Sequence, residues 1–321
     1  MKKEIILIEN MSELGAGTRG SSLGFSALEL AALKFDIDVF NRYPVNTAPT
    51  NNNALYNKWV NPHAKYIGDI VKVSRNTSDF ILLNMHEKSF PVIISGDHSN
   101  AVASISAISA AYPEKRLGVI WVDAHADLHS PYTSPSGNMH GMPLGALLGL
   151  DNLECKICDP LEETVKLWEE LKNLQGISPK VRPEDVVFFS VRDTEKPENT
   201  LMSKHSIRNF EVDELRSKGL DHCLSEADHI LSNCDLIYVS FDVDSMDCEL
   251  VSKGTGTPVP HGLSPEEAES ILKHFSSDKR LVCLEVVEIN PLLDEKGNVM
   301  AETSVRILDN VIRVIENTFS E

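Results

Sequence analysis

Strand-like and helix-like patterns alternate along almost the whole chain, and this alternation limits the fold more than any other feature. Runs rich in β-branched and aromatic residues predict strands at residues 4–8, 91–95, 118–122, 186–191, 236–241 and 281–289, with weaker ones at 37–40 and 206–210. Apolar residues at helical spacing predict helices at 22–34, within 59–83, and at 100–111, 162–174, 221–232, 265–275 and 303–317. The alternation predicts an α/β fold with a mostly parallel sheet covered by helices on both faces.

A single domain covering residues 1–321 is the expected organisation. Two domains of average size would fit into this length, but α/β domains often run longer, and no linker or internal repeat interrupts the pattern. The most polar stretch, residues 46–53, contains Pro49 and three consecutive asparagines, and it predicts a surface loop.

Metal-seeking side chains follow three of the predicted strands. The stretches are Gly96-Asp97-His98, Asp123-Ala124-His125-Ala126-Asp127 and Asp242-Val243-Asp244. Open α/β folds bind ligands at the carboxyl edge of the sheet, so we expect these stretches to meet there. Side chains two residues apart in an extended segment share a face, which lets the ligands within one stretch converge.

The charges of this cluster indicate that it binds cations. Four carboxylates in one cleft would repel one another and raise each other's pKa values unless something positive lay between them, and two divalent ions would cancel the four charges. Two imidazoles and no thiolate complete the set, which suits a harder ion such as Mn²⁺ better than a structural zinc. Because paired ions that hold a bridging water are the usual arrangement for metal-assisted hydrolysis, the expected chemistry is attack by hydroxide.

These stretches resemble those of the arginase family, the ureohydrolases that bind two manganese ions. The resemblance extends to Ser136-Gly137-Asn138-Met139-His140-Gly141, Gly256-Thr257-Pro258 and Glu288-Ile289-Asn290-Pro291. In order and approximate spacing, the motifs cover the chain from about residue 6 to the last predicted helix. The resemblance implies an arginase-like three-layer sandwich that hydrolyses L-arginine to L-ornithine and urea and assembles as a homo-oligomer, a trimer or a hexamer. It also implies two Mn²⁺, although Co²⁺, nickel and iron suit the same ligands.

The resemblance assigns roles to the clustered residues. It gives His98 and Asp127 to one ion, His125 and Asp244 to the other, and Asp123 and Asp242 to both. Asp127 is also expected to accept a hydrogen bond from the bridging water. Glu288 resembles the glutamate that holds the guanidinium, which a carboxylate can do with two parallel hydrogen bonds. His140 resembles the proton shuttle that helps ornithine leave.

Further residues are expected to bind the substrate. Ser136 and Asn138 match family residues that bind its α-carboxylate, Glu195 and Glu198 fall where the family places acidic groups near its α-amino end, and Thr257 belongs to the Gly-Thr-Pro match. Two positions depart from the family. His129 stands where most arginases carry an asparagine that helps to read the α-carboxylate, and Glu195 is longer than the usual aspartate. A histidine still donates to a carboxylate, but it is bulkier and titrates, so these positions bear on the preference for arginine.

Charge and hydropathy bear on the partners. The formal net charge of −18 argues against nucleic acid and anionic membranes, which bind clustered lysine and arginine. The amino-terminal apolar run is too short for a signal peptide, and no segment approaches the ~20 apolar residues of a membrane span. A cytoplasmic location and a small guanidino substrate are therefore expected.

Two alternative functions stay open. The first is another ureohydrolase, an agmatinase, guanidinobutyrase or formimidoylglutamase, although Ser136-Gly137-Asn138 argues against agmatine, which has no carboxylate. The second is a non-catalytic metal-binding protein of the same fold, although all six ligands, His140 and Glu288 are present.

Overall fold

The computed structural model describes residues 3–86 and 89–320, and within them eight parallel strands form one sheet. The strands are β1 Glu4–Asn10, β2 Val45–Thr47, β3 Ser89–Ser95, β4 Leu117–Val122, β5 Val186–Phe189, β6 Arg208–Phe210, β7 Leu236–Asp242 and β8 Leu281–Val287. Their order across the sheet is β2-β1-β3-β8-β7-β4-β5-β6, and every pairing is parallel. The predicted α/β fold with a parallel sheet is confirmed.

Helices cover both faces of this sheet. They are α1 Gly24–Lys34, α2 Val39–Arg42, α3 Ile67–Asn84, α4 Ala101–Ala111, α5 Pro143–Leu147, α6 Glu162–Lys172, α7 Lys196–His205, α8 Val212–Lys218, α9 Leu220–Ile230, α10 Pro265–Ser276 and α11 Val299–Thr318. Along β4, Val119 and Trp121 pack into the core beneath α3 to α6, whereas Ile120 and Val122 pack into the core beneath α1 and α9 to α11. Because strand side chains alternate between the two faces of the sheet, one strand contributes side chains to two hydrophobic cores, one on each face. The predicted three-layer sandwich is confirmed.

The edge of the sheet beyond β1 differs from the prediction. The prediction of a weaker strand at 37–40 is wrong, because Val39–Arg42 forms a short helix. In this helix, Phe40 packs edge-on against Phe25 at a centroid distance of 5.1 Å. The strand lies further on, where Val45–Thr47 pairs with β1 and overlaps the first two residues of the stretch 46–53 that was expected to be a loop. An apolar contact with a helix, rather than β propensity, decides the conformation of the first segment.

Two predicted strands end earlier than their apolar runs suggest. β5 stops at Phe189 and β8 at Val287, and the next residues, Ser190 and Glu288, have φ values of 76° and 68°. A residue with positive φ cannot continue a strand, so the chain turns at the carboxyl edge of the sheet at both places. The helices α5, α7 and α8 were not predicted.

The central strands bring together segments that are far apart in sequence. β3, β8, β7 and β4 are neighbours, with Ile94 opposite Val286, Val286 opposite Phe241, and Phe241 opposite Val122. The carboxyl ends of these four strands therefore lie side by side. No helix within the described ranges is both long enough and apolar enough to span a lipid bilayer.

Candidate metal centre and substrate cleft

The six predicted ligands meet where β3, β4 and β7 end. His98 Nδ1 lies 3.0 Å from Asp123 Oδ2, 3.1 Å from Asp127 Oδ2 and 3.2 Å from Asp242 Oδ2. His125 Nδ1 lies 3.1 Å from an oxygen of the sixth residue, Asp244. The fold thus gathers donor atoms from three loops around one imidazole nitrogen.

Two groups of potential ligands share one carboxylate. One group is His98, Asp123 and Asp127, and the other is Asp123, His125 and Asp244. Asp123 Oδ1 lies 3.4 Å from His125 Nδ1, while its Oδ2 lies beside His98. Because its two oxygens face different groups, Asp123 has the geometry of a bridging ligand.

Two potential ligand atoms of the centre make no hydrogen bond with any described residue, which indicates a site for cations and not a self-contained network of hydrogen-bonded side chains. Among the described residues, neither His98 Nδ1 nor Asp123 Oδ2 makes a hydrogen bond, although both atoms are buried. Buried polar atoms are rarely left in this state. Backbone amides hold the other oxygens, since Asp123 Oδ1 accepts from His125 N at 2.6 Å and Asp242 Oδ1 accepts from Asp244 N at 2.9 Å. The ligand atoms of each group lie within 4.8 Å of one another, which suits a divalent ion.

Side chains in the sheet orient His98. Its Nε2 lies 2.8 Å from Ser240 Oγ, and its ring stacks on Trp121 with centroids 4.0 Å apart and an interplanar angle of 3°. Such contacts fix which nitrogen of a metal-binding histidine faces the ion. Sequence reasoning missed both residues. Ser240 does carry a signal, because it is a polar residue in a buried strand, two positions before Asp242 and on the same face.

Residues outside the predicted ligand set hold Asp244. Thr257 Oγ1 donates to Asp244 Oδ2 at 3.1 Å, and Ala124 N donates to Oδ1 at 3.2 Å. The Arg192 guanidinium donates to the carbonyl oxygens of Asp244 and Ser245 at 2.9 and 3.2 Å. Thr257, which is expected to bind substrate, therefore lies in the cleft wall and also contacts Asp244, one of the predicted metal-binding residues. Sequence reasoning gave Arg192 no role.

The protonation of the centre follows from burial and crowding. Burial and the charge of Asp123 together raise the pKa of Asp127 to about 7, against the lowering effect of His98 and His125. Burial alone would lower the pKa of His98, but the three carboxylates around it raise that pKa well above its usual range. Without cations, the centre thus holds protons that offset its carboxylates, and divalent ions would take over that role.

Glu288 lies directly behind His140. Its Oε1 lies 3.1 Å from His140 Nδ1 and accepts a hydrogen bond from His98 N at 3.0 Å. Its Oε2 is buried and makes no hydrogen bond within the described part of the chain. Burial lowers the pKa of His140, but the hydrogen bond and charge of Glu288 outweigh burial and raise it to about 9. Asp97, which sequence reasoning left without a role, is buried nearby, and burial raises its pKa to about 6.

A cleft of about 210 Å³ opens above the centre. His98, His125, Asp127, His129, Ser136, Asn138, His140, Asp193, Glu195, Glu198, Asp242 and Thr257 are among the residues that line it. All six predicted substrate-binding residues therefore reach this cleft. Asp193, not predicted, also lines it, with Oδ2 3.8 Å from His125 Nε2.

His129 lies on the acidic side of the cleft. Its Nε2 is 3.5 Å from both Glu195 Oε2 and Glu198 Oε2, and its Nδ1 lies 3.1 Å from Thr133 Oγ1. Burial lowers the pKa of His129 despite the charge of Glu195. The histidine is therefore placed to contact the acidic groups in the cleft.

Glu198 is both a cleft residue and part of a helix cap. Its oxygens accept hydrogen bonds from Leu128 N at 3.2 Å and from Glu195 N at 3.0 Å, the second of which caps α7. Burial raises the pKa of Glu198 to about 7 against the effect of these bonds. The carboxylate is thus held in place by backbone amides at the start of the helix.

Fold and site define the class of this protein: a three-layer α/β protein with a parallel sheet whose carboxyl edge carries ligands for divalent cations, as in metal-dependent hydrolases. The comparisons then give the family, because the model of the arginase family matches residues 6–313. The chain belongs to the arginase family, whose members are ureohydrolases with a binuclear metal centre.

Individual relatives agree over nearly the full length. The arginase of Brevibacillus brevis is 32% identical over 323 residues, which cover 97% of this chain and 98% of that protein. The crystal structure of Entamoeba histolytica arginase in complex with L-ornithine superposes with a TM-score of 0.81 at 25% identity, covering 97% of this chain and 99% of the other. Formimidoylglutamase from Bacillus subtilis shares the fold, with a TM-score of 0.72 at 18% identity over 98% of this chain and 88% of the other.

Proposed function

We propose that the protein is an arginase, which hydrolyses L-arginine to L-ornithine and urea with two Mn²⁺. The observation that carries this proposal is the pairing of a two-group metal centre with a cleft that has hydrogen-bond donors on one wall and acids on another. An α-amino acid with a guanidinium side chain has complementary groups. Arginase relatives, and an arginase structure with ornithine, support the same substrate.

The metal ligands are proposed from the two groups and from Asp242, whose Oδ2 lies 3.2 Å from His98 Nδ1. His98 and Asp127 would hold one ion, His125 and Asp244 would hold the other, and Asp123 and Asp242 would contribute to both. When bound, the two cations would lower the pKa of a shared water and supply hydroxide as the nucleophile. Mn²⁺ is proposed because oxygen ligands outnumber nitrogen ligands and sulfur is absent from the set, and Co²⁺ is the nearest alternative.

The chain's own residues position the substrate and move protons. Asp127, itself one of the proposed ligands, would also accept a hydrogen bond from the nucleophile. One buried oxygen of Glu288 has no hydrogen-bond partner among the described residues, and this oxygen takes a hydrogen bond from the guanidinium. His140 holds a proton at neutral pH because Glu288 raises its pKa to about 9, so it can donate that proton to the leaving amine of ornithine.

The opposite end of the cleft recognises the amino acid part of the substrate. Ser136 and Asn138 supply donors for the α-carboxylate, while Glu195 and Glu198 supply acceptors for the α-ammonium. His129 contacts these two acids at 3.5 Å, so it affects binding of the ammonium more than binding of the carboxylate. This differs from the role that the sequence predicts for its position.

Another ureohydrolase activity is the main competing function. Agmatine lacks the carboxylate that Ser136 and Asn138 are proposed to bind. Guanidinobutyrate lacks the α-amine that Glu195 and Glu198 are proposed to bind. A non-catalytic role would leave unexplained the buried Glu288 oxygen for which residues 3–86 and 89–320 supply no hydrogen-bond partner.

Product formation tests the proposal. Purified protein loaded with Mn²⁺, or with Co²⁺, is given L-arginine, agmatine or 4-guanidinobutyrate, and urea and the amine product are quantified. We expect urea and L-ornithine from L-arginine, with kcat/KM at least about tenfold above that for either analogue. A higher kcat/KM for an analogue would replace the substrate assignment, and no urea from any of the three would contradict the enzymatic proposal.

A further inference from the structure

Lys65 contacts the loop that carries Ser136 and Asn138. Its Nζ donates a hydrogen bond to Asn138 Oδ1 at 3.0 Å, and its backbone N donates to Gly137 O at 2.8 Å. Lys65 lies just before α3, far from the loop in sequence. The side chain and the backbone of one residue thus hold the same three-residue stretch.

The packing between these segments leaves no space for adjustment. Gly137 has a φ of 70°, and a Cβ at this position would lie 1.9 Å from Pro62 O. Only glycine adopts this conformation with the neighbouring backbone so close. The position of Lys65 relative to Asn138 is therefore fixed by backbone contacts and does not depend on the lysine side chain alone.

The ammonium of Lys65 determines which end of the Asn138 amide faces the cleft. A lysine has three donors and no acceptor, so the amide oxygen must face it and the NH₂ group must face away. That NH₂ lies against Gly17, where a Cβ would come within 2.5 Å of Nδ2. The hydroxyl oxygen of Ser136 accepts from Asn138 N at 3.1 Å, which leaves its O–H free to donate. This wall of the cleft therefore presents donors.

Charge supports the same conclusion. Five of the residues that line the cleft are acidic, and none of its described lining residues is a lysine or an arginine. The acidic residues are Asp127, Asp193, Glu195, Glu198 and Asp242. A carboxylate entering this field needs a compensating cation besides the metal ions. Lys65, in direct contact with the wall that carries the donors, supplies it.

We propose that Lys65 is a positioning residue for substrate specificity. It orients the Asn138 amide so that the cleft wall formed by Ser136 and Asn138 binds guanidino compounds that bear a carboxylate. The inference rests on the proposed function and deepens it. The carboxylate accepts from the Asn138 amide and the Ser136 hydroxyl, and Lys65 acts through Asn138 without touching the substrate. Agmatine has no group for this wall.

Steady-state kinetics with matched variants test the proposal. Lys65→Met removes the charge and the hydrogen bond, Lys65→Arg retains both, and Lys58→Met removes an exposed charge from the same segment. For L-arginine and 4-guanidinobutyrate we expect Lys65→Met to raise KM about tenfold with kcat changed less than about threefold, whereas agmatine kinetics stay unchanged. Lys65→Arg should restore most of the loss, and Lys58→Met should match the wild type.

Calorimetry of product binding separates this inference from the proposed function. Lys65→Met should weaken L-ornithine binding about tenfold and leave binding of putrescine, the corresponding diamine, unchanged. If Lys65→Met weakened the binding of L-ornithine and of putrescine equally, the role of Lys65 would be structural and the proposal would be overturned. Unchanged L-ornithine binding by Lys65→Met would overturn it as well. So would a wild type that does not bind L-ornithine. If the wild type releases no urea from any substrate, the proposed function fails, while the binding comparison still decides the role of Lys65.

Discussion

At the scale of single residues, Glu288 combines a rare backbone conformation with a buried oxygen that no described residue satisfies. A non-glycine residue at a φ of 68° carries a conformational cost of about 1–2 kcal/mol, which the surrounding contacts must offset. Those contacts come from His140 and from the backbone of His98. Such constraints are concentrated where a side chain must be held in place before a ligand arrives.

Glu288→Gln should remove catalysis and leave the metal centre intact. The amide keeps the size of the side chain but loses the charge and one of two acceptors, so we expect kcat/KM for L-arginine to fall by about 10²–10³ or more. Glu288 is not one of the six proposed metal ligands, so metal content by plasma mass spectrometry should stay at the wild-type value. Glu295→Gln, at an exposed position nearby, is the control. A wild-type rate in Glu288→Gln would contradict the guanidinium assignment.

His129→Asn should preserve or sharpen the preference for L-arginine. The histidine lies 3.5 Å from two acids proposed to bind the α-ammonium, and a shorter side chain leaves these oxygens freer. We expect KM for L-arginine to stay level or to fall by up to about threefold, with the ratio of L-arginine to agmatine kcat/KM unchanged or higher. The two kcat/KM values measure this directly. A collapse of arginine turnover would instead give His129 an active role.

Sequence reasoning found the residues whose signal is local. Asp123, His125 and Asp127 stand two apart after an apolar run, so their convergence could be predicted. Trp121 and Lys65 could not, because their roles depend on contacts with His98 and Asn138, which lie far away in sequence. Such contacts exist only once the strand order is set.

At the scale of elements, the order of the central strands builds the site. β3, β8, β7 and β4 were all predicted, because each is a long buried run whose side chains meet a helical layer on either face. β2 and α2 were not, since three-residue and four-residue segments carry too little pattern and tertiary contacts decide their conformation. The prediction therefore held for the central strands and for β6, which lies within the weaker run at 206–210, and failed at the β2 edge of the sheet.

The capping box of α10 gives an element-scale prediction. Ser264 Oγ accepts from Glu267 N at 3.2 Å, and Ser264 N donates to Glu267 Oε2 at 2.8 Å. Ser264→Ala should lower the free energy of unfolding by about 1 kcal/mol, because it leaves an amide at the helix start without its acceptor. Urea unfolding measures the change. Ser270→Ala, within the same helix, should change stability by less than about 0.5 kcal/mol, and an equal effect of both variants would argue against the cap.

At the scale of the whole molecule, the metal centre places a penalty on folding. Four carboxylates are buried together in a chain with a formal net charge of −18, so metal-free folding must keep protons on groups that ordinarily lose them. Cations that bind only the folded state stabilise it, by about 2.7 kcal/mol at a free concentration one hundred times Kd. Metal content and pH should therefore act on stability together.

Metal-free protein should lose stability between pH 5 and pH 7.5. Burial and the charge of Asp123 raise the pKa of Asp127 from 3.8 to about 7, so the folded state binds more protons than the unfolded state across this range. The resulting stabilisation is complete below about pH 4 and is lost as pH rises through 7. Asp123, whose pKa is lowered, is ionised in both states throughout this window and contributes no slope. The urea midpoint of chelator-treated protein measures the effect.

Variants and added metal distinguish the effect of the metal centre on stability from the effect of the acidic residues on the surface. Asp127→Asn cannot ionise, so it should reduce the slope of stability against pH, leaving the part due to Glu198 and Asp97, and should raise metal-free stability at pH 7.5. Asp193→Asn, at an exposed position of the cleft mouth, should keep the whole slope. Mn²⁺ should raise the urea midpoint of the wild type more at pH 7.5 than at pH 5, because protons compete for the ligands at the lower pH. Metal-free stability that rises with pH across this window would contradict the proposed balance of protons and cations.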